Sequence, residues 1–166
     1  MHPSQLPEDE LRRHCRTERL RRSGPGGQHR NKVETAVVIV HEPTGVRAEA
    51  NERRSQAQNL AVAVHRLRVQ LALEVRDDSA VDGEISRLWR ERARGGRIAV
   101  NRDHADFPTL LAEALDALAA ASWDDRLAAE RLGLSRTQLI RFLKIEPSAL
   151  LKLNDARADR GLPRLR

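Results

Sequence analysis

The stretch that decides the fold is Val33-Glu34-Thr35-Ala36-Val37-Val38-Ile39-Val40. It has the highest density of β-branched residues in the chain, and such side chains favour a pleated strand. The turn signal Glu42-Pro43-Thr44-Gly45 follows, so residues 46–50 are predicted to return as a hairpin partner. Upstream, residues 15–22 have the charged character of an edge strand. The sequence therefore predicts a small mixed or antiparallel sheet.

A long helix is predicted to cover this sheet. Ser55 and Gln58 form a capping box, S-x-x-Q, and leucine and valine side chains then recur on one face as far as about Val75. A short helix is also expected after Pro7, because the three acids that follow this proline suit the first turn of a helix. Sheet and helices together predict an α+β domain at residues 1–76.

The second half of the chain is predicted to be helical. The polar segment 77–83 breaks the helical pattern and is interpreted as a linker to a helical domain at 84–166. Helices are expected at 85 to about 94, from Pro108, at 124–131, at 139–144 and from Pro147 to about 160, with a short β-rich run at 97–101.

Residues 124–145 have the pattern of a helix-turn-helix. Ala129, Gly133 and Leu139 take its small, turn and core positions. Phe142 and Leu143 are expected to face the core together with Leu139. The outward positions are held by Arg136, Thr137, Arg141 and Lys144. Duplex DNA readout, RNA or ribosome docking, and a purely structural bundle are all compatible with this pattern.

The composition favours a polyanionic partner and excludes several classes of site. The 166-residue chain has a net charge of +6, and its cations are nearly all arginine, whose planar fork suits phosphate oxygens, although Arg-rich coding gives the same bias. Cys15 is the single cysteine, which excludes an intrachain disulfide, and we expect a small strand residue rather than a nucleophile. The six histidines lack metal-ligand spacing, so we expect no metal and no cofactor. With no targeting signal and no apolar run of about 20 residues, a cytoplasmic protein without membrane contact is expected.

Chemistry is predicted in the glycine-rich segment Ser23-Gly24-Pro25-Gly26-Gly27-Gln28-His29-Arg30-Asn31-Lys32. A P-loop leads into a helix, whereas this segment leads into a predicted strand. A dinucleotide fingerprint would need glycine at position 29, which is His29. Adjacent glycines instead allow a backbone to approach a crowded ligand and to aim N–H groups at developing negative charge.

These motifs resemble the catalytic domain of class I peptide chain release factors. The similarity covers roughly Leu11 to Leu73 and is carried by several ordered motifs at matching spacing, whereas an isolated Gly-Gly-Gln would be a weak signal. The motifs are 22–29, Asn31-Lys32, Ala36-Val37, His41-Glu42-Pro43-Thr44-Gly45-Val46 and Arg54-Ser55-Gln56 with Asn59.

The resemblance implies a loop that enters the peptidyl transferase centre and promotes attack of water on the ester of peptidyl-tRNA. Gly26 and Gly27 would permit the required backbone, and the backbone N–H of Gln28 would stabilise the oxyanion and the leaving group. The Gln28 side chain, a candidate for methylation, would shape the water site. Ribosomal RNA and the terminal ribose of the tRNA would complete the site, which accounts for the lack of an Asp/His/Ser triad.

The expected partner is the ribosome, through large-subunit rRNA and the P-site peptidyl-tRNA, with mRNA or small-subunit contact through the C-terminal domain. We expect a monomer. The candidate RNA-binding residues are Arg22, Ser23, Arg30, Asn31, Lys32, Arg54, Arg136, Arg141 and Lys144. The remaining helical arginines, Arg12, Arg13, Arg66 and Arg68, are interpreted as solvated helix faces.

The chain differs from complete release factors in its codon-reading elements. Neither a Pro-x-Thr nor a Ser-Pro-Phe tripeptide occurs, and only 22 residues precede Ser23, so we expect no stop-codon reading. The chain instead resembles the small codon-independent members that rescue stalled ribosomes, although its C-terminal part is predicted to be helical rather than a Lys/Arg-dense tail. Two alternatives stay open: a non-catalytic RNA- or DNA-binding protein that uses its helix-turn-helix, and a termination factor with a separate codon-reading partner.

Overall fold

The computed structural model describes residues 1–20, 35–77 and 84–165. The architecture is α+β, as predicted, with small antiparallel sheets and a mainly helical second half. The strands are β1 Cys15–Leu20, β2 Ala36–His41, β3 Arg47–Ala50, β4 Ala93–Arg94 and β5 Arg97–Ile98. The helices are α1 Glu8–Arg13, α2 Gln56–Glu74, α3 Arg87–Arg92, α4 Phe107–Ala120, α5 Asp125–Arg131, α6 Arg136–Leu143 and α7 Pro147–Ala158, preceded by a 3-10 turn at Pro3–Gln5.

The first sheet has the order β1-β2-β3 and is antiparallel throughout. β2 is the central strand, and its β-branched residues Val37, Val38 and Ile39 are buried, which confirms the strand predicted from their density. The predicted turn joins β2 to β3: the Gly45 N–H donates to the His41 carbonyl at 2.8 Å, and Gly45 adopts a φ of +71°. A left-handed backbone of this kind favours glycine, so the sequence determines where the hairpin turns.

The helix α2 packs across this sheet. Ser55 is its N-cap and accepts a hydrogen bond from the Gln58 N–H, as the capping box predicts. Fully burying a valine, leucine or isoleucine side chain between helix and sheet contributes about 1.5–3 kcal/mol relative to leaving it exposed. We call the resulting cluster the sheet core; it comprises Leu11, Val37, Ile39, Ala48, Ala50, Ala63, Val64, Leu67 and Leu71.

A second and larger cluster, the helical core, is built by the elements after residue 84 together with part of α2. Its centre is aromatic: Phe142 makes edge-on contacts with Trp89 and with Phe107, at 5.8 Å between ring centroids in both cases. The Trp89 indole N–H donates to the Leu132 carbonyl at 2.8 Å, which satisfies its one polar atom. Val69, Ala72 and Leu73 of α2 belong to the same cluster. The side chains of α2 thus contribute to both cores.

The N-terminal segment fills the space beside α2 and α4. The Ser4 carbonyl accepts from the Arg68 Nε at 3.1 Å and from the Thr109 hydroxyl at 3.3 Å, and Arg68 Nη2 donates to the Leu6 carbonyl at 2.7 Å. The interpretation of Arg68 as part of a solvated face is therefore wrong, because its guanidinium is half-buried and burial lowers its pKa. The carbonyls that it binds lie more than 60 residues away in sequence.

One predicted helix ends earlier than expected. The helix predicted for 85 to about 94 is α3, and Ala93 and Arg94 are strand residues instead. Gly95 and Gly96 both have positive φ, so the chain reverses within two residues and residues 93–94 pair with 97–98. Ala93 and Ile98 then pack against the helical core.

The predicted division of the chain into 1–76, 77–83 and 84–166 stays a prediction, and most of the predicted linker, 78–83, lies outside the described residues. None of the helices in the described part of the chain is long and apolar enough to cross a membrane.

The buried pair of Arg76 and Asp116 makes a testable contribution to stability. Arg76 donates to the Asp116 carboxylate at 2.9 Å, and the Asp77 N–H donates to the same oxygen. Burial raises the pKa of Asp116 to about 6, with Arg76 opposing that rise. Because the folded state then binds this proton more tightly than the unfolded state, the contribution of Asp116 to stability falls as pH rises through this range.

We therefore expect the unfolding free energy of the wild type, relative to that of Asp116→Asn, to fall by roughly 1–3 kcal/mol between about pH 4 and about pH 7. Urea denaturation followed by circular dichroism measures the difference. His2, whose pKa burial lowers, is present in both proteins and cancels. Asp155→Asn, at an exposed position, controls for the loss of one carboxylate. A difference that stays constant or rises with pH contradicts the assignment.

Candidate functional site

The predicted catalytic segment joins two strands that are neighbours in the sheet. Its site residues Arg22, Ser23, Gly26, Gly27, Gln28, Arg30, Asn31 and Lys32 lie outside the described residues. The structure does describe what holds the two ends of this segment. β1 ends at Leu20 and β2 begins at Ala36, and these two residues are register partners. The described residues that flank the segment are therefore held at adjacent positions in the sheet.

The paired strands β1 and β2 flank the segment, and we call this strand pair the base of the segment. They are paired over six residue pairs, from Cys15 opposite His41 to Leu20 opposite Ala36. β2 is the buried member, with Ile39 fully inaccessible. The Cys15 thiol donates to the Leu11 carbonyl, and burial raises its pKa, which disfavours the nucleophilic thiolate. These properties agree with the expectation that Cys15 is a strand residue.

A buried amide ties the returning end of the segment to α2. Asn59 has no accessible surface, and its Nδ2 donates to the Thr35 carbonyl at 2.6 Å and to the Arg53 carbonyl at 2.9 Å. Its Oδ1 accepts from the Arg53 N–H at 2.8 Å. Asn59 is one of the residues that carry the family resemblance, but its partners are main-chain groups that no side-chain pattern in the sequence identifies.

A groove with basic walls lies between β1 and the start of α2. It has a volume of about 640 Å³, and no acidic residue lines it among the described residues. Arg19 comes from β1, two positions after Thr17, so strand alternation puts both on one face. Arg12 of α1 is exposed and contributes to the same wall, a role that its interpretation as a solvated helix residue missed. The full lining is Arg12, Thr17, Arg19, Val37, Gln56, Ala57 and Leu60.

Arg54, the remaining RNA-binding candidate of the first half, immediately precedes the cap of α2. Its side chain is exposed and has no ion pair within the described ranges. It is therefore accessible to an anionic partner.

The helix-turn-helix pattern corresponds to α5 and α6. Gly133 lies between these helices with a φ of +65°, and Ala129 and Leu139 are buried, as their predicted turn, small and core positions require. Phe142 and Leu143 are also buried, which confirms the predicted inward face of α6.

The three basic candidates on this element differ in their surroundings. Arg136 donates to Asp125, a buried carboxylate that also accepts from Arg157 Nη1 at 2.9 Å. Arg136 thus takes part in a network that connects α5, α6 and α7. Its side chain is also partly exposed to solvent. Arg141 and Lys144 are exposed and form no ion pair within the part of the chain that the structure describes.

Comparison with known protein families identifies the family to which the chain belongs. A family model described as the RF-1 domain matches residues 5–101, which is more than half of the chain. The chain belongs to the RF-1 domain family. The resemblance to the catalytic domain of class I release factors is thereby confirmed, whereas membership of the small rescue type is not established.

Several peptide chain release factors are similar to this RF-1 domain protein. Peptide chain release factor 1 of Frankia casuarinae is 37% identical over 130 residues, which is 67% of this chain and 36% of the relative. Peptide chain release factor 2 of Acidothermus cellulolyticus is 37% identical over 94 residues, or 54% and 24%. Peptide chain release factor 2 of Campylobacter jejuni is 42% identical over 83 residues, or 48% and 23%. The chain spans about a third or less of the length of these curated relatives.

The boundaries of the RF-1 domain divide the predicted site residues into two groups. The match at 5–101 includes the glycine-rich segment, Arg54 and Asn59, together with both strands of the base. Arg136, Arg141 and Lys144 lie beyond it. Roles for both groups stay predictions: those for the first group are suggested by their place inside the matched domain, and those for the second group by the exposure and charge of the residues.

The different surroundings of Arg136 and Arg141 predict different effects on stability. We expect Arg136→Ala to lower the unfolding free energy by about 1–2 kcal/mol, because a buried carboxylate loses one charge-assisted hydrogen bond. The matched variant Arg141→Ala is expected to stay within about 0.5 kcal/mol of the wild type. Urea midpoints at unchanged m value measure both. Equal losses in the two variants are incompatible with the network around Asp125.

Proposed function

We propose that this chain hydrolyses the ester of peptidyl-tRNA on the ribosome, through Gly26, Gly27 and Gln28, and that it does so on stalled ribosomes without reading a codon. The observation that carries the proposal is a Gly-Gly-Gln sequence within a matched RF-1 domain, between two paired strands. The relatives named above are release factors.

The proposed chemistry needs few protein groups. Ester hydrolysis passes through a tetrahedral oxyanion, and an N–H group aimed at that oxygen stabilises the transition state more than the ground state. The backbone N–H of Gln28 supplies this donor, and Gly26 and Gly27 let the main chain approach the tRNA end without side-chain clashes. The Gln28 side chain orients water, and ribosomal RNA and the tRNA ribose supply the other groups. Hydrolysis is therefore conditional on docking.

Charge supports the proposed partner. The net charge is +6, and the groove beside the base of the segment has arginines and no acids among its described lining. Arg22, Ser23, Arg30, Asn31, Lys32 and Arg54 are proposed to contact rRNA near the tRNA end. Arg141 and Lys144, with Arg136 in a double role, are proposed to contact rRNA, mRNA or the small subunit.

Release from defined ribosome complexes tests the proposal. Purified protein is added to ribosomes carrying labelled peptidyl-tRNA on truncated mRNA, on a stop codon and on a sense codon. We expect release on truncated mRNA and no dependence on the identity of a codon. A requirement for a second protein together with a stop codon identifies a partner-dependent termination factor instead. No release in any complex, with or without a partner, leaves the nucleic-acid-binding alternative.

Substitutions in the segment separate the backbone from the side chain. Gly27→Ala is expected to slow release at least about 100-fold. Gln28→Pro is expected to slow it by at least as much, because proline has no backbone N–H to donate. Gln28→Ala keeps that donor and is expected to lose activity through the misplaced water. Gln70→Ala makes the same side-chain change at an exposed position of α2 and is expected to retain wild-type release. Full activity of Gln28→Pro rules out the proposed oxyanion donor.

A further inference from the structure

A single buried amide connects the first turn of α2, the connection from β3 and the residue before β2. Asn59 lies in the first turn of α2, Arg53 lies in the connection from β3, and Thr35 precedes β2 by one residue. Asn59 Nδ2 donates to the Thr35 and Arg53 carbonyls, and its Oδ1 accepts from the Arg53 N–H. Both protons of the amide and its oxygen are used, all on main-chain partners.

The bond to Thr35 comes from a side chain of α2 and not from a neighbouring strand. Thr35 directly precedes Ala36, the first residue of β2, which pairs with Leu20 of β1. The Thr35 carbonyl is held by Asn59 at 2.6 Å, the shortest of the three bonds. Ser55 already satisfies the cap of α2 by accepting from the Gln58 N–H. Asn59 therefore does more than cap the helix, because it joins α2 to the residue directly before β2.

Because Asn59 is buried, water cannot replace its hydrogen-bond partners. Asn59 is completely inaccessible, so a lost bond is not replaced by solvent, and the group left unsatisfied destabilises the folded state. The sheet core fixes α2 through Ala63, Val64 and Leu67 within the following two turns. A side chain anchored on that helix holds the carbonyl of Thr35 at a fixed place. Because the bond is to the Thr35 carbonyl, it fixes the main chain at residue 35 and does not depend on the side chain there.

We propose that Asn59 is a positioning residue, which fixes the backbone relative to α2 at Thr35, the residue that directly follows the 21–34 segment in sequence. For its effect on hydrolysis the inference rests on the proposed function. Asn59 contacts neither substrate nor reacting atoms, and it acts through Thr35. An error of about 1 Å in a positioned group costs on the order of 100-fold in rate.

The chain offers a matched control. Asn154 in α7 is also a buried asparagine whose amide bonds to main chain: Nδ2 donates to the Leu165 carbonyl, and Oδ1 accepts from the Leu165 N–H. Asn59→Ala and Asn154→Ala therefore remove the same chemical group from two buried sites. Asn59→Asp keeps the acceptor for the Arg53 N–H but places an oxygen against the carbonyls of Thr35 and Arg53.

Two measurements are made on the full chain, at a temperature where urea titration shows each variant to be folded. Hydrogen exchange of the amides of residues 36–38 reports how readily the start of β2 opens. Single-turnover and steady-state release on ribosomes with truncated mRNA gives kcat and KM. We expect Asn59→Ala and Asn59→Asp to speed exchange at 36–38 at least about tenfold and to lower kcat at least about tenfold, with KM within about twofold. Asn154→Ala is expected to change neither.

Each other result overturns the inference or part of it. Equal loss of kcat in Asn59→Ala and Asn154→Ala assigns the effect to general stability. Wild-type exchange at 36–38 in both Asn59 variants shows that the amide does not hold the strand start. Faster exchange with unchanged kcat removes the catalytic role. If the wild type releases nothing, the proposed function fails, and the exchange comparison still decides whether Asn59 fixes Thr35.

Discussion

The packing of α2 between two cores is the constraint on which the rest of the structure depends. Ala63, Val64 and Leu67 face the sheet, whereas Ala72 and Leu73 belong to the cluster built by the later helices. A helix with both sets of contacts cannot shift toward one side without opening a cavity on the other, because protein interiors are close-packed. The Ser4 carbonyl reinforces this arrangement by accepting from Arg68 in α2 and Thr109 in α4.

The candidate site is connected to this fixed helix. The base of the proposed catalytic segment is a pair of strands on the sheet core, and the amide of Asn59 adds a direct connection from α2 to the main chain at Thr35. Geometry is set by main-chain hydrogen bonds, while charge is supplied by exposed arginines around the groove. A site of this kind needs no buried catalytic side chain, which suits the proposed reaction, in which ribosomal RNA and the tRNA would supply the other groups.

Local patterns in the sequence predicted much of the fold. The β-branched run, the Pro-Thr-Gly turn and the S-x-x-Q cap each act within a few residues, and β2, the hairpin and α2 are found where these signals predict them. Long-range contacts were not predictable. Arg68 carries the same charge as Arg66, but its guanidinium binds carbonyls of the N-terminal segment, whereas Arg66 pairs with Glu52 at the surface. The partners of Asn59 were hidden for the same reason.

The aromatic residues are distributed unevenly between the two cores. Trp89 is buried in the helical core, and Trp123, the other of the two tryptophans, packs against the same cluster. Among the described residues, the sheet core is entirely aliphatic. Intrinsic fluorescence therefore observes the helical core directly and the sheet core only through their shared helix. A fluorescence transition that coincides with loss of strand signal in the infrared would mean that α2 couples the two cores into one cooperative unit.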